Sequence, residues 1–237
     1  MQALPPIPAT ADARQPAIDA ALQQLRAADP RFDLGAFEDE VRRRFAWQRE
    51  LLSARHPEAL AGRVSPALLE TFKANAARQL AAGVRTEYRN LRVDGLRPIW
   101  LAVGPVRDRF TVAVDHSCAT TGVSDDTGQV VFGGSESPAV EYWTLSRPTG
   151  TQTPDVESGP QECPGCGAPA DPARGPLCPY CRAELPSALL GWVLDRADDA
   201  LEWAQVTVPE TPDEERRRRE READEDWLDS QLRGQPF

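Results

Sequence analysis

Histidine and cysteine are scarce in this chain. It has two histidines and five cysteines in 237 residues. His56 stands beside Pro57 and reads as a loop residue, and His116 closes an apolar run, so no Ser-His-Asp triad is legible. Five cysteines are too few for a secreted domain framed by disulfides. Four of them fall in one short stretch, and the fifth, Cys118, is a leftover thiol that suits a reducing cytoplasm. Long apolar runs are missing as well. None approaches the roughly 20 residues of a membrane-spanning helix. Met1 to Gln15 lacks the basic start and apolar core of a signal peptide, so none is expected. A Gly-rich phosphate loop is absent too. Lys73 is the one lysine among 27 basic residues, which we read as coding bias rather than function.

Positive charge is scarce where a nucleic acid would need it. Residues 29–147 are balanced, with 16 acidic and 16 basic side chains, whereas residues 148–237 carry 19 acidic and 9 basic ones. The net charge of −10 therefore sits in the C-terminal part. Phosphate contacts need Lys and Arg, so nucleic acid is an unlikely partner unless folding gathers an arginine face around Arg174 and Arg182. An acidic segment suits anionic membranes equally badly, leaving at most peripheral contact.

What is present is more specific. Cys163-Pro-Gly-Cys166 is followed after eleven residues by Cys178-Pro-Tyr-Cys181. Two Cys-x-x-Cys pairs bring four thiolates within reach of one ion, and zinc takes four soft ligands in a tetrahedron. Pro164, Gly165 and Gly167 supply the fixed and permissive torsions of a tight knuckle, and Pro179 repeats the arrangement. The interval holds three prolines and two glycines, enough for a hairpin and no helix. The expectation is a closed structural zinc ribbon with one ion held by Cys163, Cys166, Cys178 and Cys181. Thioredoxin-like redox motifs want a strand before and a helix after, and two disulfides want an oxidising compartment.

Along the chain, residues 1–28 read as a flexible, proline-rich lead-in with a short helix from about Gln15 to Ala28, carried by Ile18, Leu22 and Leu25. Asp33 is a candidate helix cap. Phe37, Val41, Phe45 and Leu52 form the stripe of a long helix to about Arg55, with Leu34 and Gln48 on the same face. Arg42, Arg43, Arg44 and Arg49 are expected on a solvated face paired with Glu38, Asp39, Glu40 and Glu50, the alternative being an anion-binding patch. Ser65-Pro66 starts another helix, which Gly83 stops. The pattern then changes to strands through Leu91 to Val103, Arg109 to His116, Val130 to Phe132 and Val140 to Leu145, with Asp125-Asp126-Thr127-Gly128 as a turn. Helices followed by three to five largely antiparallel strands make an α+β order. Residues 148–162 read as a linker, 163–185 as the ribbon, and 186–208 as an apolar packing helix carried by Leu189, Leu190, Trp192, Val193, Leu194, Ala197, Leu201 and Trp203. Residues 209–237 form a charged tail with Glu214/Arg218 and Glu215/Arg219 at helical spacing and an apolar tip of Trp227, Leu228 and Leu232. Such a tail either docks in a partner groove or only solubilises.

Asp29-Pro-Arg-Phe-Asp-Leu-Gly-Ala-Phe37, the Asp125-Asp126 turn and Glu141-Tyr-Trp-Thr-Leu145, in this order and ahead of a zinc ribbon, resemble the bacterial Tim forty-four-like domain family over about Asp29 to Ala204. The resemblance implies a cone of helices on a curved sheet over residues 29–147, of the nuclear transport factor two-like type. It also implies association with membranes or partner proteins rather than catalysis, and thus a cytoplasmic binding protein, at most peripheral to the inner membrane. The alternative is a ligand or catalytic site inside the cone, with Tyr88, Asp115, His116, Glu141 and Tyr142 as polar candidates. His116 shares the face of Phe110, Val112 and Val114, which favours a hydrogen-bonded core residue. Cys118, two residues on, starts too far from His116 to act with it as a nucleophile pair.

Overall fold

Helices come first and strands afterwards in the computed structural model, which describes residues 11–154, 161–170, 177–181, 183, 185, 187–189 and 191–199. Helix α1 (Ala11–Ala28) buries Ile18, Leu22 and Leu25 and ends where the Asp29 N–H donates to the Leu25 carbonyl. Helix α2 (Leu34–Ser53) opens on Asp33, whose carboxylate accepts the Ala36 N–H at 2.7 Å. That bond satisfies one of the donors every helix start leaves free. The stripe of Phe37, Val41 and Phe45 is wholly buried. A 3-10 turn (Pro57–Leu60) leads to α3 (Pro66–Ala81), where the Ser65 hydroxyl accepts the Leu68 N–H and Pro66 takes the first helical position. Gly83, at φ +62°, turns the chain out of α3 into the first strand.

The strands are β1 (Val84–Ala102), β2 (Arg107–Ser124), β3 (Val130–Pro148), the two-residue β4 (Gln161–Glu162) and β5 (Pro169–Ala170), and β6 (Val193–Asp199). The main sheet has the order β1-β2-β3-β6 and is antiparallel throughout. Three register shifts between β1 and β2 and two between β2 and β3 bend this long meander, as bulges do. All three helices pack against β1. Phe110, Val112 and Val114 face the helices, while Ala113 belongs to a smaller cluster with Ile99 and Trp100. The Asp125–Gly128 turn joins β2 to β3 as expected, and Val130 to Phe132 and Val140 to Leu145 lie on the same strand.

Two expectations need correction. The apolar run beginning at Leu189 is not a helix over its described part. Gly191, at φ +81°, breaks any helix there, and residues 193–199 form β6 on the outer edge of β3, pairing Glu141 with Asp199 and Ser146 with Val193. An unpaired sheet edge satisfies more backbone groups with a strand than with a helix laid beside it. Trp192 and Leu194 still pack on the domain, in the main core. The second correction concerns α2. Its arginine face is not uniformly solvated, because Arg44 and Glu40 are buried, whereas Gln48 is buried on the apolar face as expected. Arg44 reaches inward to donate to the Trp192 carbonyl at 2.9 Å. Arg42 does pair with Asp39, and Arg43 with Glu40.

Candidate functional site

The four knuckle cysteines converge. Their sulfurs all lie within 4.8 Å of one another. Cys163 and Cys181 are 3.5 Å apart, and Cys166 and Cys178 are 3.8 Å apart. A disulfide would bring two sulfurs to about 2 Å. Four ligands about 2.3 Å from a tetrahedral centre stand roughly 3.8 Å from each other, so the donor set fits a single metal ion.

Local backbone chemistry builds the site twice over. The Cys163 N–H donates to the Ala168 carbonyl at 2.9 Å, and the Cys178 N–H donates to the Ala183 carbonyl at 2.8 Å. Each knuckle thus closes five residues beyond its first cysteine, as the repeated Cys-Pro-x-Cys-x-Ala wording requires. In the first knuckle Gly167 takes φ +72°, and its N–H caps the Cys163 carbonyl. Gly165 is held by contact rather than torsion, since a Cβ there would meet Ala183 Cβ at 2.9 Å and the Cys181 sulfur at 3.3 Å. The Cys181 N–H, pointing at the Cys178 sulfur, pulls that thiol down to about 6 against the effect of burial. Beneath the sulfurs, Ala170 and Leu185 are buried with Cys163 and Cys178 in a small core separate from that of the main domain.

The polar candidates of the main domain fall into two groups, with Tyr88, His116 and Glu141 gathered around Phe45 and Arg49 and Asp115 and Tyr142 on the other face. The sheet itself separates them. Asp115 and Tyr142 share the face of Ala113, whereas His116 and Glu141 lie on the helix side with Val114 and Trp143. Asp115 forms a two-pronged pair with Arg97 at 2.7 and 2.8 Å, which holds its carboxyl below the usual range. His116 is buried, with Nδ1 3.3 Å from the Val114 carbonyl and its ring 4.9 Å from that of Phe45. Glu141 accepts from Arg49 and from the Trp143 indole N–H. The Arg49 guanidinium lies 4.9 Å from the Tyr88 ring and 4.7 Å from that of Phe45. Cys118 is buried, 3.6 Å from the Thr120 hydroxyl. Between the helices and the sheet stands a stack of rings instead. Phe37 lies 4.9 Å from Phe110 and 5.4 Å from Trp192, and Phe45 lies 5.2 Å from Trp143. All five are at most 1% exposed.

One charged constellation was not anticipated. Arg147, at the end of β3, is buried between Asp29 (2.7 Å) and Asp108 (3.3 Å), with its guanidinium 4.7 Å from the Trp192 ring. Asp29 also accepts from the Thr153 hydroxyl at 2.6 Å and from the Thr153 N–H. Burial alone would raise the Asp29 carboxyl, but these bonds overcome it and hold the group below its ordinary value. The cluster ties the end of α1, the sheet and the start of the 148–162 passage together. All three charged side chains are at most 2% exposed. Arg174, Arg182 and the charged tail lie outside the described residues. No helix among the described residues is long and apolar enough to cross a membrane.

No curated protein sequence matches the chain. Among solved structures, the intermembrane space region of the chloroplast protein ARC6 is similar at a TM-score of 0.37 and 13% identity, over 72% of this chain and 98% of that one, which is too distant to carry an argument. The family model of the Tim44-like domain matches residues 18–155. That span runs from Ile18, a buried residue of α1, past Thr153, and it leaves the knuckles outside. It is more than half of the chain, which therefore belongs to the Tim44-like domain family.

Proposed function

We propose that this protein binds other proteins and catalyses no reaction, with Cys163, Cys166, Cys178 and Cys181 holding one structural zinc ion. The observation that carries the reading is the filled interior. A ligand or substrate site needs a cavity with a few converging polar groups. Here the centre of the space between helices and sheet is taken by Phe37, Phe45, Phe110, Trp143 and Trp192, Asp115 and Glu141 are each paired with an arginine, and the cleft of about 570 Å³ left between α2 and β1 is lined by charged side chains already paired with one another, Arg85 and Arg89 with Glu87. Function is then left to the surface. Four sulfurs with spacing suited to a tetrahedron, closed by paired knuckles and joined by no fifth ligand among the described residues, favour zinc in a structural role. The ion would cross-link the two knuckles and do no chemistry. A thiolate set of this kind suits a reducing compartment such as the cytoplasm.

The test is purification of the full chain, as bait, from cytoplasmic and membrane fractions, with native mass spectrometry and metal analysis of the product. A stoichiometric protein partner, one zinc per chain and no retained small molecule support the reading. A stoichiometric small molecule that survives purification, and is lost on Trp143→Ala, would overturn it in favour of a ligand site in the core.

A further inference from the structure

Strand β1 is an edge of the main sheet, and the cleft of about 570 Å³ between it and α2 runs along that edge. The Arg49 guanidinium lies against the Tyr88 ring, so Tyr88 points to the helix side. Arg85, Glu87 and Arg89 alternate with it and point to the opposite side of the sheet. A cleft bordered by Tyr88 and by all three of these wraps the free margin of the strand.

The backbone along that margin has a readable phase. The Asp125 N–H donates to the Gly83 carbonyl, one step before the pair Val84 and Ser124, so Gly83 and Asp125 are a hydrogen-bonded pair of the β1–β2 ladder. Such pairs alternate along an antiparallel ladder with residues whose N–H and C=O point away from the partner. Arg85, Glu87 and Arg89 therefore spend theirs on β2, while Thr86 and Tyr88 direct theirs outward. Thr86 agrees with this phase, since its N–H donates to the Gln79 amide oxygen of α3 at 3.2 Å. Gln79 thus caps the edge at Thr86. The N–H of Tyr88, next in phase, has no such cap among the described residues, and it opens on the cleft.

We propose that the cleft takes an extended segment of a partner protein, which adds a short strand to β1 at Tyr88. This rests on the protein-binding reading above and names its surface. Main-chain pairing suits a cleft whose arginines are already engaged, Arg85 and Arg89 with Glu87 and Arg49 with Glu141, because an added strand draws on N–H and C=O groups. The α2 wall is low, with Ala46, Ser53 and Ala54 beside Glu50, so the segment presents small side chains there. Charge selects its other face. Arg85 and Arg89 share the one carboxylate of Glu87, and Asp125, 3.5 Å from Arg85, is already held by Arg55 at 2.8 Å. Three guanidinium groups thus share two carboxylates, and an acidic residue of the segment on that side meets the surplus. Glu50 is exposed and has no ion pair among the described residues, so it turns an acidic residue away from the α2 wall. The regular edge stops at the register shift after Arg89, where Asn90 takes φ +55°, which keeps the added strand short.

A phage-displayed library of random dodecapeptides, selected on the full chain, supplies the probe, and fluorescence anisotropy of the selected peptides reads affinity. Tyr88→Pro and Tyr88→Ala both lose the ring, but only proline loses the outward N–H, and on this edge it leaves the bonds to β2 in place. The peptides should carry an acidic residue and bind Tyr88→Pro about fivefold or more weakly than Tyr88→Ala. Ser53→Trp, which fills the cleft, should weaken binding by about tenfold or more, while slow hydrogen exchange of 110–118 in β2 reports an intact fold. Methylating alternate backbone nitrogens of the peptide should abolish binding to the unsubstituted protein. Failure to select any peptide, equal affinity for the two Tyr88 variants, or tolerance of methylation at every position would overturn the proposal. So would a Ser53→Trp chain that still holds the partner captured by the full chain, which would leave the protein-binding reading standing. That reading fails separately, on the retained small molecule described above.

Discussion

Replacing Asp29 by Asn removes the charge that Arg147 faces while keeping the size of the side chain. Arg147 would keep Asp108 at 3.3 Å and the Trp192 ring at 4.7 Å, so it is not wholly abandoned. Breaking a buried ion pair by removing one partner costs about 3–5 kcal/mol, and the surviving contacts argue for the low end, about 3 kcal/mol. With a urea dependence of about 2 kcal/mol per molar, the unfolding midpoint should fall by about 1.5 M. The pH dependence supplies an independent check. The folded carboxyl is held below its unfolded value. Its contribution is therefore fully present above the unfolded pKa of about 3.9 and is lost as the pH falls through the folded value. The gap between protein and variant should be complete at pH 7 and narrow below about pH 4. A midpoint shift under about 0.5 M at pH 7, or a gap that does not change with acid, would refute the account of Arg147 as a buried, doubly paired cation.

Asp115→Asn should be nearly silent by contrast, within about 0.5 kcal/mol in the same urea titration, because its partner Arg97 has a half-exposed side chain. Trp143→Ala should lower stability by about 3–5 kcal/mol, read by thermal or urea unfolding, since it empties a fully buried ring site beside Phe45. Cys163→Ser should reduce bound zinc to well under one equivalent by elemental analysis, with faster proteolysis confined to the knuckles and the helical circular dichroism retained. Uniform loss of helix would contradict the separateness of the knuckle core. Gly165→Ala should keep all four ligands yet release metal faster to a chelator, because its new methyl group meets Ala183 and the Cys181 sulfur.

The cysteine knuckles were legible because their chemistry is short-range, with two residues between the cysteines of each pair and torsions set by Pro and Gly. The caps at Asp33 and Ser65, the stop at Gly83 and the burial of His116 were legible for the same reason, each being a local pattern with a local cause. The misses share the opposite property. Arg147 stands beside Pro148 and reads as the polar end of a strand, and its partner Asp29 is 118 residues away in the sequence. Arg44 sits in a run of three arginines that reads as a wet face, while its acceptor, the Trp192 carbonyl, is 148 residues on. The strand at 193–199 has apolar residues at helical spacing, and the open edge of β3, together with the turn at Gly191, decides against the helix. Gly191 was the one local sign.

The return of β6 to the domain carries a consequence for kinetics. Leu194 accepts the Ser65 N–H at 2.8 Å and donates to the Arg63 carbonyl, and the Ser65 hydroxyl reaches the Asp195 carbonyl. The last described strand therefore clamps the junction ahead of α3, and the sheet closes only after the chain has made its excursion from Pro148 through the knuckles to Val193. A cross-link between Cys163 and Cys181 shortens that excursion by less than half, and halving a loop changes its closure entropy by only about 0.6 kcal/mol. Depriving the chain of metal should thus slow the arrival of β6 by less than about threefold. The pace of closure is set by the long search of a distant strand for its edge, and an ion held by the four cysteines would keep the loop in shape without hurrying it home.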